Sequence, residues 1–324
     1  MQTAFVTGGT GFVGLNLVEQ LRAANWKVVA IHRAKSSTQR LAALGAELRA
    51  CELDDPSALA QAMPESVDAV FHVAGDISWW WGHDERQRRV NVDGTRHVVE
   101  AALRRGAKRF VHTSSVAAFG IDHAVIDEQT PSSAARSSIG YVRTKWEGQE
   151  EVRKGIQRGL SAVILNPANI LGPYDVTGWA RLFRLLKARK LPGVPPGRSS
   201  FCHVSEVARA HITAVTKGGV GEQYLLGGTD VSYVEIAAIM AELLGLRPPR
   251  AVPTALLKTM GRVNDWVSHL TRKEPDITAA NAYLVCSRWR VDSSKAMKVL
   301  GFSAKPLREM IEDSFRWLQK EKLI

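Results

Sequence analysis

Thr7-Gly8-Gly9-Thr10-Gly11-Phe12-Val13-Gly14 is the stretch on which the reading of this chain turns. It follows a short apolar run, residues 3–7, and opens a segment, residues 12–24, with helical periodicity. Two glycine patterns overlay it. One is G-x-G-x-x-G on Gly9, Gly11 and Gly14; the other is T-G-x-x-G-x-x-G on Gly8, Gly11 and Gly14, with Phe12 and Val13 between the last two. In either pattern the glycines make a tight turn and let the backbone approach a pyrophosphate. They also let helix and strand lie close, while the N–H groups at the helix start face the phosphates. A glycine fingerprint gains its weight from lying between a strand and a helix, as this one does. It implies a dinucleotide site.

The next strand-like run, residues 27–32, ends in His32-Arg33-Ala34-Lys35-Ser36. No carboxylate stands there to hold ribose hydroxyls. Arg33 and Lys35 suit a 2′-phosphate instead, Arg33 through a bidentate grip. NADP is the expected dinucleotide, with NAD as the alternative.

Outward from this site, strand-like runs at 47–53, 67–72, 110–113 and 162–166 alternate with helical segments at 39–44, 90–104 and 141–157. A further short helix starts at Asp55-Pro56, where Asp suits the N-cap and Pro the first turn. Such alternation implies an α/β fold with a doubly wound parallel sheet covered on both faces. After Pro167 the texture changes. Prolines and glycines gather in residues 191–197 and recur at Pro248, Pro249 and Pro253. Helical segments fall at 204–216, 231–244, 254–270 and 307–321, with a strand-like run at 221–226. The expected organisation is a Rossmann-type domain over 1–167, to which 203–230 and about 285–296 return. Residues 168–202 and 231–324 then form a smaller, mostly helical substrate-binding cap.

The chain has 324 residues, 45% hydrophobic and 23% charged, which excludes disordered, collagen-like and coiled-coil classes. The most apolar run, residues 231–246, is broken by Glu235 and Glu242, so no membrane span of ~18 residues is expected. The start does not read as a signal peptide. Cys51, Cys202 and Cys286 are odd in number and far apart, against a disulfide framework or a zinc site. The cytoplasm is the expected compartment. The net charge is +11, but the basic residues are dispersed, as in Arg104, Arg105, Lys108 and Arg109 or in Arg181, Arg184, Lys187, Arg189 and Lys190. They read as solvated helix faces with a bias toward small anions, not as a nucleic-acid surface.

Tyr141 and Lys145 are four apart and share one helix face. A close ammonium favours the phenolate, bringing a phenol of pKa ~10 toward use as a proton donor near neutrality. One strand earlier, Thr113-Ser114-Ser115 closes the 110–113 run, at the strand end where open α/β sheets bind ligands. Trp79-Trp80-Trp81 follows the 67–72 strand and reads either as an aromatic wall for an apolar substrate or as rings packed beneath the cap. Trp266 has the same two readings. Arg86, Arg88 and Arg89 would hold an anionic group or form a solvated helix start.

Taken in order, several blocks resemble the extended short-chain dehydrogenase/reductases. They are the glycine octet, Cys51-Glu52-Leu53-Asp54-Asp55, Phe71-His72-Val73-Ala74-Gly75, Asn91-Val92-Asp93-Gly94-Thr95, Thr113-Ser114-Ser115 and Tyr141…Lys145. Asn166-Pro167-Ala168-Asn169-Ile170-Leu171-Gly172-Pro173, His203-Val204 and residues 291–296 continue the match. The texture is that of the dihydroflavonol-reductase-like group within the NAD-dependent epimerase/dehydratase family. The resemblance implies Tyr141 as general acid, Lys145 as its tuner and holder of the nicotinamide ribose, and Ser115 as the group orienting a carbonyl. Asn91 would complete a proton relay through its helix backbone. Glu52, where the family usually has Asp, would face the adenine with Leu53 beside it. Val73, Ala74 and Gly75 would line the cofactor, and Pro167, Asn169 and Ile170 the nicotinamide edge. Two positions depart from the family: Arg198 is out of register with the arginine of sugar-nucleotide epimerases, and Gly120 stands where plant flavonoid enzymes carry Asn. The implied function is an NADPH-dependent carbonyl reductase without a metal, a monomer or homodimer acting on a small molecule. A nucleotide-sugar epimerase or dehydratase is the alternative, followed by a steroid-type dehydrogenase or a silent dinucleotide sensor.

Overall fold

In β1 (Thr3–Thr7), Ala4 and Val6 point to one face and Phe5 to the other, and all three are fully buried. A strand with two apolar faces needs cover on both. The computed structural model, which describes residues 1–191 and 193–324, supplies that cover by alternation. After β1 come α1 (Phe12–Ala23), β2 (Lys27–His32), α2 (Gln39–Ala43), β3 (Glu47–Ala50), α3 (Pro56–Ala62), β4 (Ala69–His72) and α4 (Asp84–Arg88). A π-helical turn at Arg89–Asp93 leads into α5 (Gly94–Arg104), β5 (Phe110–Thr113), β6 (Val125–Ile126), α6 (Gly140–Gln157) and β7 (Ala162–Pro167). Then follow β8 (Asn169–Leu171), α7 (Ala180–Lys187), β9 (Arg198–His203), α8 (Val204–Lys217), β10 (Gln223–Leu226), β11 (Thr229–Ser232) and α9 (Tyr233–Leu243). The chain closes with α10 (Thr254–Thr271), α11 (Ala279–Cys286), β12 (Arg290–Val291), α12 (Ser294–Leu300) and α13 (Leu307–Lys320).

Seven parallel strands form the main sheet in the order β10-β7-β5-β4-β1-β2-β3. The winding reverses between β1 and β4, the crevice where such sheets take ligands. One face joins Val6, Ala30, Phe71 and Leu165 to Leu17 and Leu21 of α1 and Val207 of α8. The other joins Phe5, Val29, Val70 and Ile164 to Leu59 of α3, Val98 and Val99 of α5 and Val152 of α6. Each large side chain so buried contributes about 1.5–3 kcal/mol relative to exposure. A separate apolar cluster unites α7, α9 and α13 over the small sheet β11-β9-β8, through Phe183, Phe201, Ile236, Met240 and Ile311. Residues 203–230 supply α8 and the edge strand β10 to the main sheet, while β12 pairs with β6.

Several boundaries differ from the sequence reading. The 47–53 strand stops at Ala50, and the segment expected as a helix over 90–104 starts at Asp84 and passes through the π turn. Val231 and Ser232 finish β11 rather than opening a helix; Ser232 then caps α9, accepting from Glu235 N at 3.1 Å while the Glu235 carboxylate accepts from Ser232 N at 2.7 Å. β9 was not legible as a strand because Arg198-Ser-Ser-Phe-Cys-His203 has no alternation, its polar side being buried against β8 and β11. Arg109 is not on a solvated face: it is buried, donating to Ser161 Oγ at 3.0 Å and Ala214 O at 3.1 Å. Pro192, in the proline–glycine stretch, lies outside the described residues. Asp55 does cap α3, accepting from Ser57 N and Ala58 N at 3.0 and 2.9 Å with Pro56 in the first turn.

The two glycine patterns are resolved by geometry. Gly8 has φ +70°, and a β-carbon there would lie 2.5 Å from Ala74 N. A β-carbon on Gly14 would run into the Gly8 carbonyl oxygen, whereas one on Gly9 would meet only side chains, at 3.4 Å or more. The working pattern is therefore Gly8, Gly11 and Gly14. Gly14→Ala is expected to cost about 1–3 kcal/mol of stability through backbone overpacking, and Gly9→Ala less than about 1 kcal/mol. Urea denaturation of the two variants checks this; equal losses would refute the assignment.

Candidate active site

The carboxyl ends of β1, β4, β5 and β7 open into a cleft of about 1840 Å³. The floor at one end is the glycine loop. Gly11 caps α1 without a side-chain hydrogen bond and no acid occupies the first turn, so the helix-start N–H groups are left to an anion. Gly8, Gly11, Phe12, Val13 and Gly14 all line the cleft, as do Arg33 and Ser36 beyond β2. Among the described residues Arg33 pairs with no carboxylate. Lys35 is exposed and stands outside the cleft wall. Glu52 and Leu53 line it too; Leu53 packs against Gly94 and its carbonyl accepts from His97 Nδ1 at 2.8 Å, which fixes this loop. Backbone approach without β-carbons and uncapped N–H groups together fit the pyrophosphate of a dinucleotide.

At the other end, Tyr141 and Lys145 are buried, 8% and 6% exposed, because α6 lies very close to α4 and the π turn. Two glycines allow it. A β-carbon on Gly140 would collide with the Asp84 carboxylate, and one on Gly148 would lie 2.5 Å from Asn91 O. Lys145 Nζ donates to the Thr113 carbonyl at 3.1 Å, and burial pulls its pKa down to about 8. Burial raises Tyr141, with the Ser115 hydroxyl acting in the opposite direction. The Tyr141 pKa is thus raised rather than lowered as expected, with desolvation the larger effect. Ser115 also caps a short turn, its Oγ accepting from Ala117 N at 3.1 Å. Ser115, Tyr141, Lys145, Val73, Ala74, Gly75, Pro167, Asn169 and Ile170 all meet in the cleft.

Asn91 does not line it. Its side chain fastens the loop after β4, accepting from Asp76 N at 2.8 Å and donating to Asp76 O at 2.9 Å. Its backbone carbonyl accepts from the Thr95 hydroxyl at 2.7 Å. The same hydroxyl begins a buried chain that sequence reading missed: Thr95 Oγ1 to His72 Nε2 at 2.9 Å, then His72 Nδ1 to Thr7 Oγ1 at 2.7 Å. His112 stacks on His72 at 5.3 Å, and His211 bonds Thr113 Oγ1 at 2.7 Å. Burial holds all three rings neutral, His72 at about 3 and His211 at about 4. Lys145 is left as the cation of this region. The available signal was a polar residue, Thr7, His72 or Thr113, closing each of three apolar strands.

The three consecutive tryptophans divide between both readings. Trp79 lines the cleft with its ring 5.1 Å from that of Tyr141. Trp80 is buried, Nε1 donating to Ser268 Oγ of α10 at 2.7 Å, and Trp81 stacks on His269 at 4.3 Å. Trp266 fits neither reading; it is 66% exposed. Arg86 is paired with Asp76, Arg89 lines the cleft and Arg88 does not. Arg198 is exposed on β9, 3.5 Å from Glu235 and outside the cleft.

Comparison with known proteins agrees with this geometry. The model of the NAD dependent epimerase/dehydratase family matches residues 4–227. A putative dihydroflavonol 4-reductase of Synechocystis sp. is 31% identical over 97% of this chain and 94% of its own length. Sterol demethylase protein B of Methylococcus capsulatus is 31% identical over 99% of this chain and 100% of its own. Among solved structures, the crystal structure of gox2253 superposes with a TM-score of 0.86 and 30% identity, covering 99% of each chain. The chain therefore belongs to the NAD-dependent epimerase/dehydratase family and is an NAD(P)-dependent oxidoreductase of the extended short-chain dehydrogenase/reductase type.

Proposed function

We propose that this enzyme is an NADPH-dependent reductase of an apolar aldehyde or ketone. The observation that carries the substrate class is the Trp79 ring against Tyr141, which sets an aromatic surface beside the proton donor. Arg198, turned outward toward Glu235, leaves the cleft without the arginine that sugar-nucleotide epimerases use. In this reading residues 1–167, with 203–230 and about 285–296, hold the dinucleotide, and 168–202 with 231–324 close the substrate side.

A bound nicotinamide supplies the hydride. Tyr141 gives its hydroxyl proton to the carbonyl oxygen, and Ser115 donates a hydrogen bond that aligns that oxygen. Lys145 holds the nicotinamide ribose and offsets negative charge growing on the phenol. Asn91 keeps Gly75 and Asp76 in place behind Lys145. Arg33 grips the 2′-phosphate, and the loop from Gly8 to Gly14 takes the pyrophosphate. Glu52 and Leu53 flank the adenine. Val73 and Ala74 border the dinucleotide, with Pro167, Asn169 and Ile170 along its nicotinamide edge.

The test is stoichiometric oxidation of NADPH, followed by absorbance, with a panel of hydrophobic aldehydes and ketones. Tyr141→Phe is expected to lower turnover by about 10²–10⁴-fold while NADPH binding is retained. Interconversion of a nucleotide sugar without net NADPH loss would put the epimerase reading first. Arg33→Ala is expected to cost about 1.5–3 kcal/mol of NADPH affinity and to leave NADH affinity nearly unchanged by isothermal titration. Equal losses, or a native preference for NADH, would refute the NADP assignment. The pH dependence follows from Lys145, charged below about 8 and neutral above. NADPH affinity is expected to fall as pH rises through that value, and Lys145→Met to bind weakly with no such transition.

A further inference from the structure

Helix α10 is anchored by one side only. Leu257, Gly261 and Ser268 are buried, Gly261 so closely that a β-carbon would lie 2.8 Å from Thr278 O, and Ser268 receives the Trp80 indole. The opposite side is apolar and exposed. Leu256, Met260, Val263, Val267 and Leu270 recur at intervals of four and three, one continuous stripe, with Trp266 beside it. Their exposures run from 39% at Met260 to 69% at Leu270, while Leu257 of the same helix is buried. Arg262 stands at the edge of the stripe beside Trp266, Lys258 lies farther round over the Tyr283 ring at 5.3 Å, and Arg272 and Lys273 follow the helix end. The one carboxylate between residues 254 and 273, Asp265, is turned inward to Ala279 N at 3.0 Å. The stripe also borders the cleft: Met260 is both exposed and part of the cleft wall, as is Ile77 on the loop after β4, 63% exposed.

We propose that this face of α10 docks on an anionic lipid surface, lying in the interface with Trp266 and Leu270 inserted and its basic border against the headgroups. An apolar stripe edged by cations, with an exposed tryptophan, is the pattern of a helix that lies on a bilayer. Among the described residues no helix is long and apolar enough to cross one, so the contact is peripheral. Charge favours lipid over a second copy of the chain. Pairing through α10 would bring two basic borders together on protomers of net charge +11, whereas anionic headgroups complement them. Docked this way, the cleft mouth between Ile77 and Met260 opens beside the membrane, where an apolar carbonyl compound dissolved in lipid would enter.

Flotation with vesicles tests docking without turnover, so it stands apart from the reductase reading. The full chain is expected to float with phosphatidylcholine–phosphatidylglycerol vesicles at least about tenfold better than with phosphatidylcholine alone, and to be released as salt screens the headgroups. Val263→Gln/Trp266→Gln/Leu270→Gln, exposed changes monitored for folding by thermal melting, is expected to lose about tenfold or more of the bound fraction. Lys258→Gln/Arg262→Gln is expected to weaken binding to the anionic vesicles alone. Absence of wild-type binding to those vesicles, or undiminished binding of the triple variant, overturns the proposal. So does a wild-type dimer in sedimentation that the triple variant dissociates while neither binds lipid.

Discussion

With a β-carbon at residue 14, α1 could not lie where it does, because that atom would occupy the space of the Gly8 carbonyl oxygen. The same kind of contact recurs around the cleft. Gly8 meets Ala74 across the two strands that flank the switch point, Gly140 meets Asp84, and Gly148 meets Asn91. Gly8 and Gly148 bring backbone to backbone at this rim, Gly140 brings backbone to a carboxylate, and the same device recurs elsewhere in the fold at Gly228 against Phe201 O and Gly261 against Thr278 O. The apolar layers beneath are conventional and tolerate exchange among aliphatic residues. The rim does not, since a displaced helix would move either the phosphate cradle or the Tyr141–Lys145 pair.

Electrostatics at the site follows from the same crowding. Lys145 is taken out of water and given a single carbonyl, Thr113, which explains its lowered pKa. Around it stand three imidazoles that burial keeps uncharged, two of them hydrogen-bonded to threonines. A protonated histidine here would repel Lys145. Neutral, they act as shaped polar filler at the ends of apolar strands, giving hydroxyls and peptide groups partners without adding charge. His112 is the exception within the cluster, since neither ring nitrogen has a hydrogen-bond partner among the described residues; its stacking on His72 is the contact that holds it.

Much of this was legible from the sequence because it rests on local pattern. The apolar strands, the glycine octet, the Asp55 cap and the four-residue spacing of Tyr141 and Lys145 each announce themselves within a few residues. What escaped depends on distant partners. β9 is a strand because β8 and β11 bury its serines, which no alternation within Arg198–His203 foretells. Lys35 and Arg33 look alike in sequence, yet only Arg33 reaches the cleft wall. The Asn91 side chain is held by Asp76 on a different segment, and the helix that carries Asn91 is interrupted by a π turn no propensity indicates. The tryptophans show the limit best, for three adjacent identical residues have separate fates decided by Tyr141, Ser268 and His269.

Those tryptophans also tie distant parts of the chain to one another. The tripeptide leaves the fourth strand of the main sheet, yet two of its rings are seated on a helix nearly two hundred residues later, one through Ser268 and one through His269. Helix α10 is therefore not an interchangeable module laid over a constant base. Grafting in a helix without Ser268 and His269 would leave the Trp80 indole without its serine and strip Trp81 of its stacking partner. A chimera would have to exchange residues 79–81 along with the helix, so the natural unit of recombination in this protein is discontinuous in sequence.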